Sequence, residues 1–395
     1  MSASFDAIVA GHVCLDLTPD LSGMTAGEFA TMFRPGRLLD AGPVTVGGGG
    51  AVANAGLGLA ALGVPTLLMG KIGTDVFGEV LQRVLTAGHG DASGLIVDPA
   101  SHTSYSVVIN PAGIDRIILH YPGANDTFEA GDIRYDLLGG ARIFHFGYPT
   151  IMQRIYRDGG RQLVEIFRRA RGTGVTTSLD MSLPDPKSGP GRADWRAILV
   201  ATLPYVDVFL PSAEEILLML RAPLYHDWLA RAGAGGDLLP FFTPELLSEL
   251  AGELLAMGAR IVGLKLGLRG FYLKTGAAAA LAQAGRAAPA DPAAWAGREL
   301  WAPAFRVHEV TATGSGDCAI AGFLSGLLHG LSVEETLIAA CAVGASNVEA
   351  ADSVSGLRTW EATLARLAGP WPRHDFAIDA PGWSCDPATG LWQRR

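Results

Sequence analysis

The chain has 395 residues, 49% hydrophobic and 17% charged, enough for a large core in one big α/β domain or two smaller ones. A formal net charge of −9, with no lysine-rich block or basic stripe, argues against a nucleic-acid partner. The apolar runs are broken well short of a membrane span, the first nine residues lack a leader pattern, and Cys14, Cys318, Cys341 and Cys385 lack metal-ligand spacing; the expectation is a cytoplasmic protein with reduced thiols and no membrane partner.

In chain order, residues 7–11 predict a short buried strand. Asp16 falls where the following segment leaves the core, a common place for a ligand-facing carboxylate and equally a solvated strand end. Residues 18–46 are mixed in polarity and are expected as irregular strands and loops. Gly47-Gly48-Gly49-Gly50 then leads into a small-residue helix ending at Gly63, where backbone can approach a ligand closely. A dinucleotide fingerprint fits poorly: the run lies some way into the chain, and the following acid is Asp75 in a loop. Asn54, in the first turn, suits either a hydroxylated ligand or a cap or buried-amide role.

Residues 66–73 read as one strand, and a helix runs from Asp75 to near Leu85. Alternation over 103–110 and 114–120 predicts a hairpin around Pro111-Ala112-Gly113, forming with residues 12–46 a small sheet apart from the main core. From Ile143 the pattern becomes strand–helix alternation, with strands at 143–146, 175–179 (ending at Asp180), 208–210, 260–264 and 271–274, and helices near 156–173, 195–203 and 244–257. This implies a parallel sheet with right-handed crossovers. Residues 222–243 read as a loop insertion with Gly233 to Gly236 at its tip, and the Ala/Pro-rich 276–298 as an exposed loop. Ser332-Val333-Glu334-Glu335 is a capping-box pattern opening a late helix. The tail, 369–395, holds three of the eight tryptophans and is expected to pack on the body or on a partner.

The most informative stretch is Thr313-Gly314-Ser315-Gly316-Asp317, followed by an apolar helical run. A glycine loop feeding a helix start exposes backbone N–H groups where the helix dipole is positive, which makes an anion site. Asp317 beside a bound phosphate makes sense as the base that takes a proton from an attacking hydroxyl. Taken alone, the loop reads equally as a glycine turn with Asp317 as the N-cap of a buried helix.

Four stretches in this order and spacing together resemble the ribokinase-like, or PfkB, family of carbohydrate kinases: Gly49-Gly50-Ala51-Val52-Ala53-Asn54, Gly70 to Gly78, Lys265-Leu266-Gly267-Leu268-Arg269-Gly270, and Gly314 to Asp317. The resemblance covers roughly residues 5–367. It implies a three-layer αβα sandwich with a central mostly parallel sheet over 1–368, a small β lid from about 12–46 and 98–123, and a C-terminal extension at 369–395. It also implies ATP and Mg2+, a sugar or nucleoside as small-molecule partner, and a homodimer. By the same resemblance Asp317 is the catalytic base and Gly314, Ser315 and Gly316 the anion hole. Asp16, Gly49, Gly50 and Asn54 would hold the acceptor's hydroxyls, and Lys265, Leu266, Gly267 and Ser212 the nucleotide. Glu215 would serve the metal.

Three departures stand out. Thr311-Ala312 replaces an Asp-Thr pair, which puts potassium activation in doubt; Ser212-Ala213-Glu214-Glu215 keeps the Glu but not the Asn of an Asn-x-x-Glu motif; and Ile320 replaces an aromatic. The lid offers few cations for an existing phosphate, Arg34, Arg37 and Arg116, so an unphosphorylated acceptor is favoured. The reading is therefore an ATP-dependent phosphotransferase acting on a sugar hydroxyl. The alternatives are a nucleoside kinase of the same family or a non-catalytic binder of a sugar or nucleoside.

Overall fold

The computed structural model describes all residues except 1–4, 32–34, 37, 111–116, 234–235, 309, 311, 351 and 353. The described strands are β1 (Ala7–Gly11), β2 (Cys14–Pro19), β3 (Val44–Gly49), β4 (Thr66–Met69), β5 (Lys71–Gly73), β6 (Ile96–Asp98), β7 (Tyr105–Ile109) and β8 (Ile117–Tyr121). They continue as β9 (Ile143–Gly147), β10 (Thr176–Leu179), β11 (Val208–Phe209), β12 (Ile261–Lys265), β13 (Phe271–Thr275), β14 (Glu299–Ala302), β15 (Trp383–Cys385) and β16 (Trp392–Arg394). The main sheet has the order β15-β16-β14-β13-β12-β11-β10-β9-β1-β4. It is parallel from β4 to β12 and antiparallel from β12 to β15.

Every residue of β1 is buried, as expected of a parallel strand covered on both faces. Its side chains alternate between two cores: Ile8 and Ala10 join one, Ala7 and Val9 the other. The first core includes Leu163, Ile166 and Phe167 of helix Gln153–Gly172 and Leu247, Leu250 and Leu254 of helix Pro244–Ala256. The second takes Val52 and Leu59 from helix Gly50–Ala61, Phe323 and Leu324 from helix Ser315–Leu328, and Leu337 and Val343 from helix Val333–Asn347. The result is the three-layer sandwich. A separate four-stranded sheet, β3-β2-β7-β8, makes the small lid.

Local signals place the helix starts. Ser332 and Glu335 form the capping box anticipated for helix Val333–Asn347. Asp75 caps helix Val76–Ala87 by accepting from the Gly78 amide (3.0 Å), so it is committed to structure and is not a ribose ligand.

Several expectations need correction. Residues 222–232 are not a loop insertion: helix Ala213–Ala232 runs through them, broken locally at Arg221 (φ −141°, ψ 45°) ahead of Pro223. Tyr225 and Trp228 then pack into the core, and the helix stops at Gly233. The 276–298 stretch is not an exposed loop either. It holds short helices at Ala278–Leu281 and Pro292–Trp295, and Leu281, Ala284, Ala287 and Trp295 are buried. An alanine-rich segment gives no periodic contrast, so its inward side could not be read from pattern. The expected 66–73 strand is two strands in different sheets, parted at Gly70, and residues 18–46 include a short helix, Ala26–Ala30. The tail adds β15 and β16 to the main sheet beside β14. The hairpin pairs as anticipated, β7 with β8; its turn, 111–113, lies outside the described residues.

Candidate active site

Gly314 is the N-cap of helix Ser315–Leu328, at φ +75°, a conformation that suits glycine. Asp317 is thus not the cap but sits inside the first turn, with 3% exposure. Its Oδ2 accepts two hydrogen bonds, from Asn54 Nδ2 (2.9 Å) and from the Tyr148 hydroxyl (2.7 Å). Asn54 comes from helix Gly50–Ala61. Tyr148 follows β9 in the left-handed region (φ 61°, ψ 44°), an uncommon conformation for a tyrosine and one that turns the chain sharply at the strand's end. Burial and the neighbouring Asp317 carboxylate push the Tyr148 phenol well above its ordinary range, so it is a donor at any working pH.

The loop itself is partly engaged. The Ser315 amide and hydroxyl both donate to the Ala312 carbonyl (3.3 and 3.0 Å), whereas the Gly316 and Asp317 amides fall in the first turn, where a helix offers no acceptor. Lys265 lies over this turn: a Cβ built on Gly316 would stand 3.8 Å from its Nζ.

Behind the lysine is a buried acidic group. Asp180 has no exposure, and neither of its oxygens has a hydrogen-bond partner. Its nearest cation is Lys265 Nζ at 3.9 Å, and the His145 ring nitrogen Nε2 lies 3.7 Å away. Burial pushes the Asp180 carboxyl well above the usual range and Lys265 opposes the rise. Glu215 is buried too, raised first by burial and lowered by Lys265. It is tied into a capping box: the Ser212 amide donates to Glu215 Oε2 (2.7 Å) and the Glu215 amide to Ser212 Oγ (3.1 Å).

On one side of the Gly316 turn a cavity of about 360 Å³ is lined by Gly267, Phe271, Phe305, Gly316, Val348 and His374, with Lys265 at its border. Ser212, Lys265 and Gly267 also line an adjoining recess. Leu266 is 1% exposed and points into the core, not the cavity. His374 comes from the tail, where its amide donates to the Ala304 carbonyl (2.9 Å) and Trp371 stacks on Phe305 with ring centroids 4.4 Å apart.

On the other side, Asp16 of β2 faces β3. A Cβ on Gly49 would meet its carboxylate at 2.3 Å, so only glycine allows the approach. Gly50 opens the Asn54 helix directly after it. Burial raises the Asp16 carboxyl, while Cys14 and Ser106 hydrogen bonds lower it. Next to it, His12 Nε2 lies 3.2 Å from His120 Nε2 of the lid, and the His12 ring is 6.1 Å from that of Tyr148. Burial holds both imidazoles below their ordinary range. Arg34, Arg37, Arg116 and Thr311 lie outside the described residues.

The structure therefore joins Asn54 to Asp317, Gly49 to Asp16 and Ser212 to Glu215, and sets Lys265 against the Gly316 turn, with Ser212, Lys265 and Gly267 lining one recess. The profile of pfkB family carbohydrate kinases matches residues 8–360. The chain belongs to that family. Among curated relatives it is 26% identical over 367 residues to a probable chloroplastic fructokinase of Arabidopsis thaliana, covering 90% of this chain and 81% of the relative. It is 24% identical over 219 residues to a Zea mays fructokinase, covering 55% of this chain and 63% of the relative, less than two thirds of that protein. In fold it is similar to Arabidopsis thaliana ribokinase complexed with ribose and ATP (TM-score 0.69, 17% identity, 93% of this chain and 100% of that one). It is likewise similar to Xylella fastidiosa fructokinase with bound ATP (TM-score 0.65, 19% identity, 92% and 98%). The fold of this pfkB kinase is thus ribokinase-like.

Sequence reasoning missed Tyr148, Asp180, His12, His120 and His374. For Tyr148 and Asp180 a signal existed: both follow a predicted parallel strand at its carboxyl end, where ligand crevices form in open α/β sheets. His374 had none, because a tail's docking site is a long-range contact.

Proposed function

We propose that this pfkB kinase transfers the terminal phosphoryl group of ATP to a hydroxyl of an unphosphorylated sugar, with Asp317 as general base. The observation that carries the proposal is the Asp317 carboxylate: buried in the first turn of a helix, with both donors, Asn54 and Tyr148, on Oδ2. That arrangement fixes the carboxylate's orientation and turns Oδ1 toward the acceptor. The proton of the acceptor hydroxyl passes to Oδ1 as its oxygen attacks phosphorus. The Gly316 and Asp317 amides and the Lys265 ammonium face the charge that develops on the transferring group. The apolar cavity suits the base and ribose of ATP, and the recess shared by Ser212 and Lys265 suits its phosphate tail.

The donor set fits Mg2+: the two unpartnered oxygens of Asp180 and the buried Glu215 carboxylate are the hard oxygen ligands this ion prefers. When bound, the ion would neutralise charge on the phosphate tail. Among the described residues the side chains that hydrogen-bond Asp16 are Cys14 and Ser106, neither of them a cation, which favours an uncharged acceptor over a phosphosugar. Exposed Val44, Val46, Ile117, Leu119 and Tyr121 on the lid's two edge strands support homodimerisation through the lid. Four free cysteines suit a reducing compartment such as the cytoplasm; among the described residues no helix is long and apolar enough to cross a membrane.

The test is ATP consumption with Mg2+ against neutral sugars, phosphosugars and nucleosides, with and without potassium. A neutral sugar should turn over best, and Asp317→Asn should cut kcat by about 10²–10⁴-fold while ATP still binds. Turnover of a phosphosugar alone would overturn the acceptor class, and near wild-type kcat in Asp317→Asn would remove the base. Ligand binding without turnover across the panel would indicate a non-catalytic binder.

A further inference from the structure

We infer that His12, Cys14 and His120 form a site for a thiophilic divalent cation of the Zn2+ class, set between the core and the lid. His12 leaves the end of β1, Cys14 opens β2, and His120 lies on lid strand β8. One ligand atom from each residue lies within 4.8 Å of the other two. The two imidazole Nε2 atoms are 3.2 Å apart. Tetrahedral Zn2+, with bonds of about 2.0–2.3 Å to nitrogen and sulfur, holds its donor atoms roughly 3.3–3.8 Å apart, so the imidazole pair is already at ligand spacing and the cluster closes by at most about 1.5 Å.

The surroundings are those of a ligand set rather than of a packed core. Ser106 Oγ lies 3.2 Å from His120 Nδ1, fixing that ring through its other nitrogen, and 3.5 Å from Cys14 Sγ. Asp16 Oδ1 accepts a hydrogen bond from Cys14 Sγ at 3.3 Å. His12 is 1% exposed and presents Nε2 to His120, while its Nδ1 faces Gly50. On binding, a sulfur–metal bond replaces the Cys14 S–H bond and the proton leaves to solvent. Imidazole and thiolate together select zinc-class ions over the Mg2+ that the oxygen donors at Asp180 and Glu215 suit.

A cation here would tie the lid to the core and occupy the space beside Asp16. It would therefore compete with the acceptor and not with ATP, a consequence that rests on the function proposed above; binding itself does not.

Co2+ added to the intact, Mg2+-free protein is the direct probe. One equivalent should give the visible bands of a tetrahedral ion and a thiolate charge-transfer band, both abolished by Zn2+. Cys14→Ser should lose the charge-transfer band, Cys385→Ser should keep it, and His120→Ala, on the more open lid position, should weaken binding by about tenfold or more. Absence of a thiolate band, or its survival in Cys14→Ser together with unchanged affinity in His120→Ala, overturns the site. In turnover, Zn2+ should raise the acceptor KM with the ATP KM unchanged, and His120→Ala should be insensitive. The spectrum needs no catalysis, so failure of the metal site and failure of the kinase reading are separable.

Discussion

The Tyr148 hydroxyl donates a 2.7 Å hydrogen bond to Asp317 Oδ2, across 169 residues of sequence. Two turns of chain meet there, one at the end of β9 and one at the start of a helix, and Asn54 completes the grip on the same oxygen. Tyr148→Phe removes this bond and leaves the ring. A hydrogen bond to a charged group contributes about 1.5–3 kcal/mol, so kcat should fall by roughly 10–100-fold if the bond serves the transition state. The ATP KM should stay near wild type. Steady-state kinetics with both substrates varied checks this; an unchanged kcat would leave Asn54 as the sufficient positioning group.

Lys265 faces the Gly316 turn and is the nearest cation to the buried Asp180. Lys265→Met keeps most of the aliphatic stem but strands the carboxylate, and truncating one partner of a buried charged pair costs about 3–5 kcal/mol at the upper end. Thermal stability should drop, and Asp180→Asn in the same chain should restore part of it. Turnover should stay low in both, because the charge facing the phosphoryl group is missing and the double variant also loses a proposed Mg2+ ligand. Full recovery of kcat in the double variant would reduce Lys265 to a counter-ion and remove Asp180 as a Mg2+ ligand.

His374 brings a tail residue to the wall of the proposed nucleotide cavity. His374→Ala should raise the ATP KM several-fold and alter the preference between ATP and GTP, with the acceptor KM unchanged. Parallel changes in both KM values would instead indicate a general loosening of the tail.

His145 is fully buried beneath the site, with Nδ1 2.9 Å from Ser178 Oγ, and burial followed by the Lys265 charge pushes its pKa from 6.5 down to about 3. The unfolded chain takes up this proton below pH 6.5, while the folded chain does not until about pH 3. The neutral ring's contribution is thus complete above pH 6.5 and declines as pH falls toward 3. Urea unfolding across that window should show a stability loss that is shallower in His145→Asn. Equal slopes would assign acid sensitivity to other groups.

Much of this protein was legible in its sequence, and what was legible was local. Val333–Asn347 begins where Ser332 and Glu335 can cap it, Gly314 sits where a left-handed cap is needed, and the alternation of β9, β10 and β11 with helices announces a parallel sheet. These depend on hydrogen bonds and periodicities spanning a few residues, so neighbours in sequence determine them. The motif order also singled out Asp317 as the candidate base, because Asp317 and its loop are contiguous. What only the tertiary structure decided was pairing across distance: Tyr148 with Asp317, His12 with His120, Lys265 with Asp180, and His374 with the cavity wall. The alanine-rich 276–298 stretch shows the same limit, since its buried Trp295 finds a partner in Phe323 and not in its own segment. Burial, and the displaced protonation of groups such as Asp180 and His145, arises only when remote segments exclude water together, and no local pattern encodes which segments those will be.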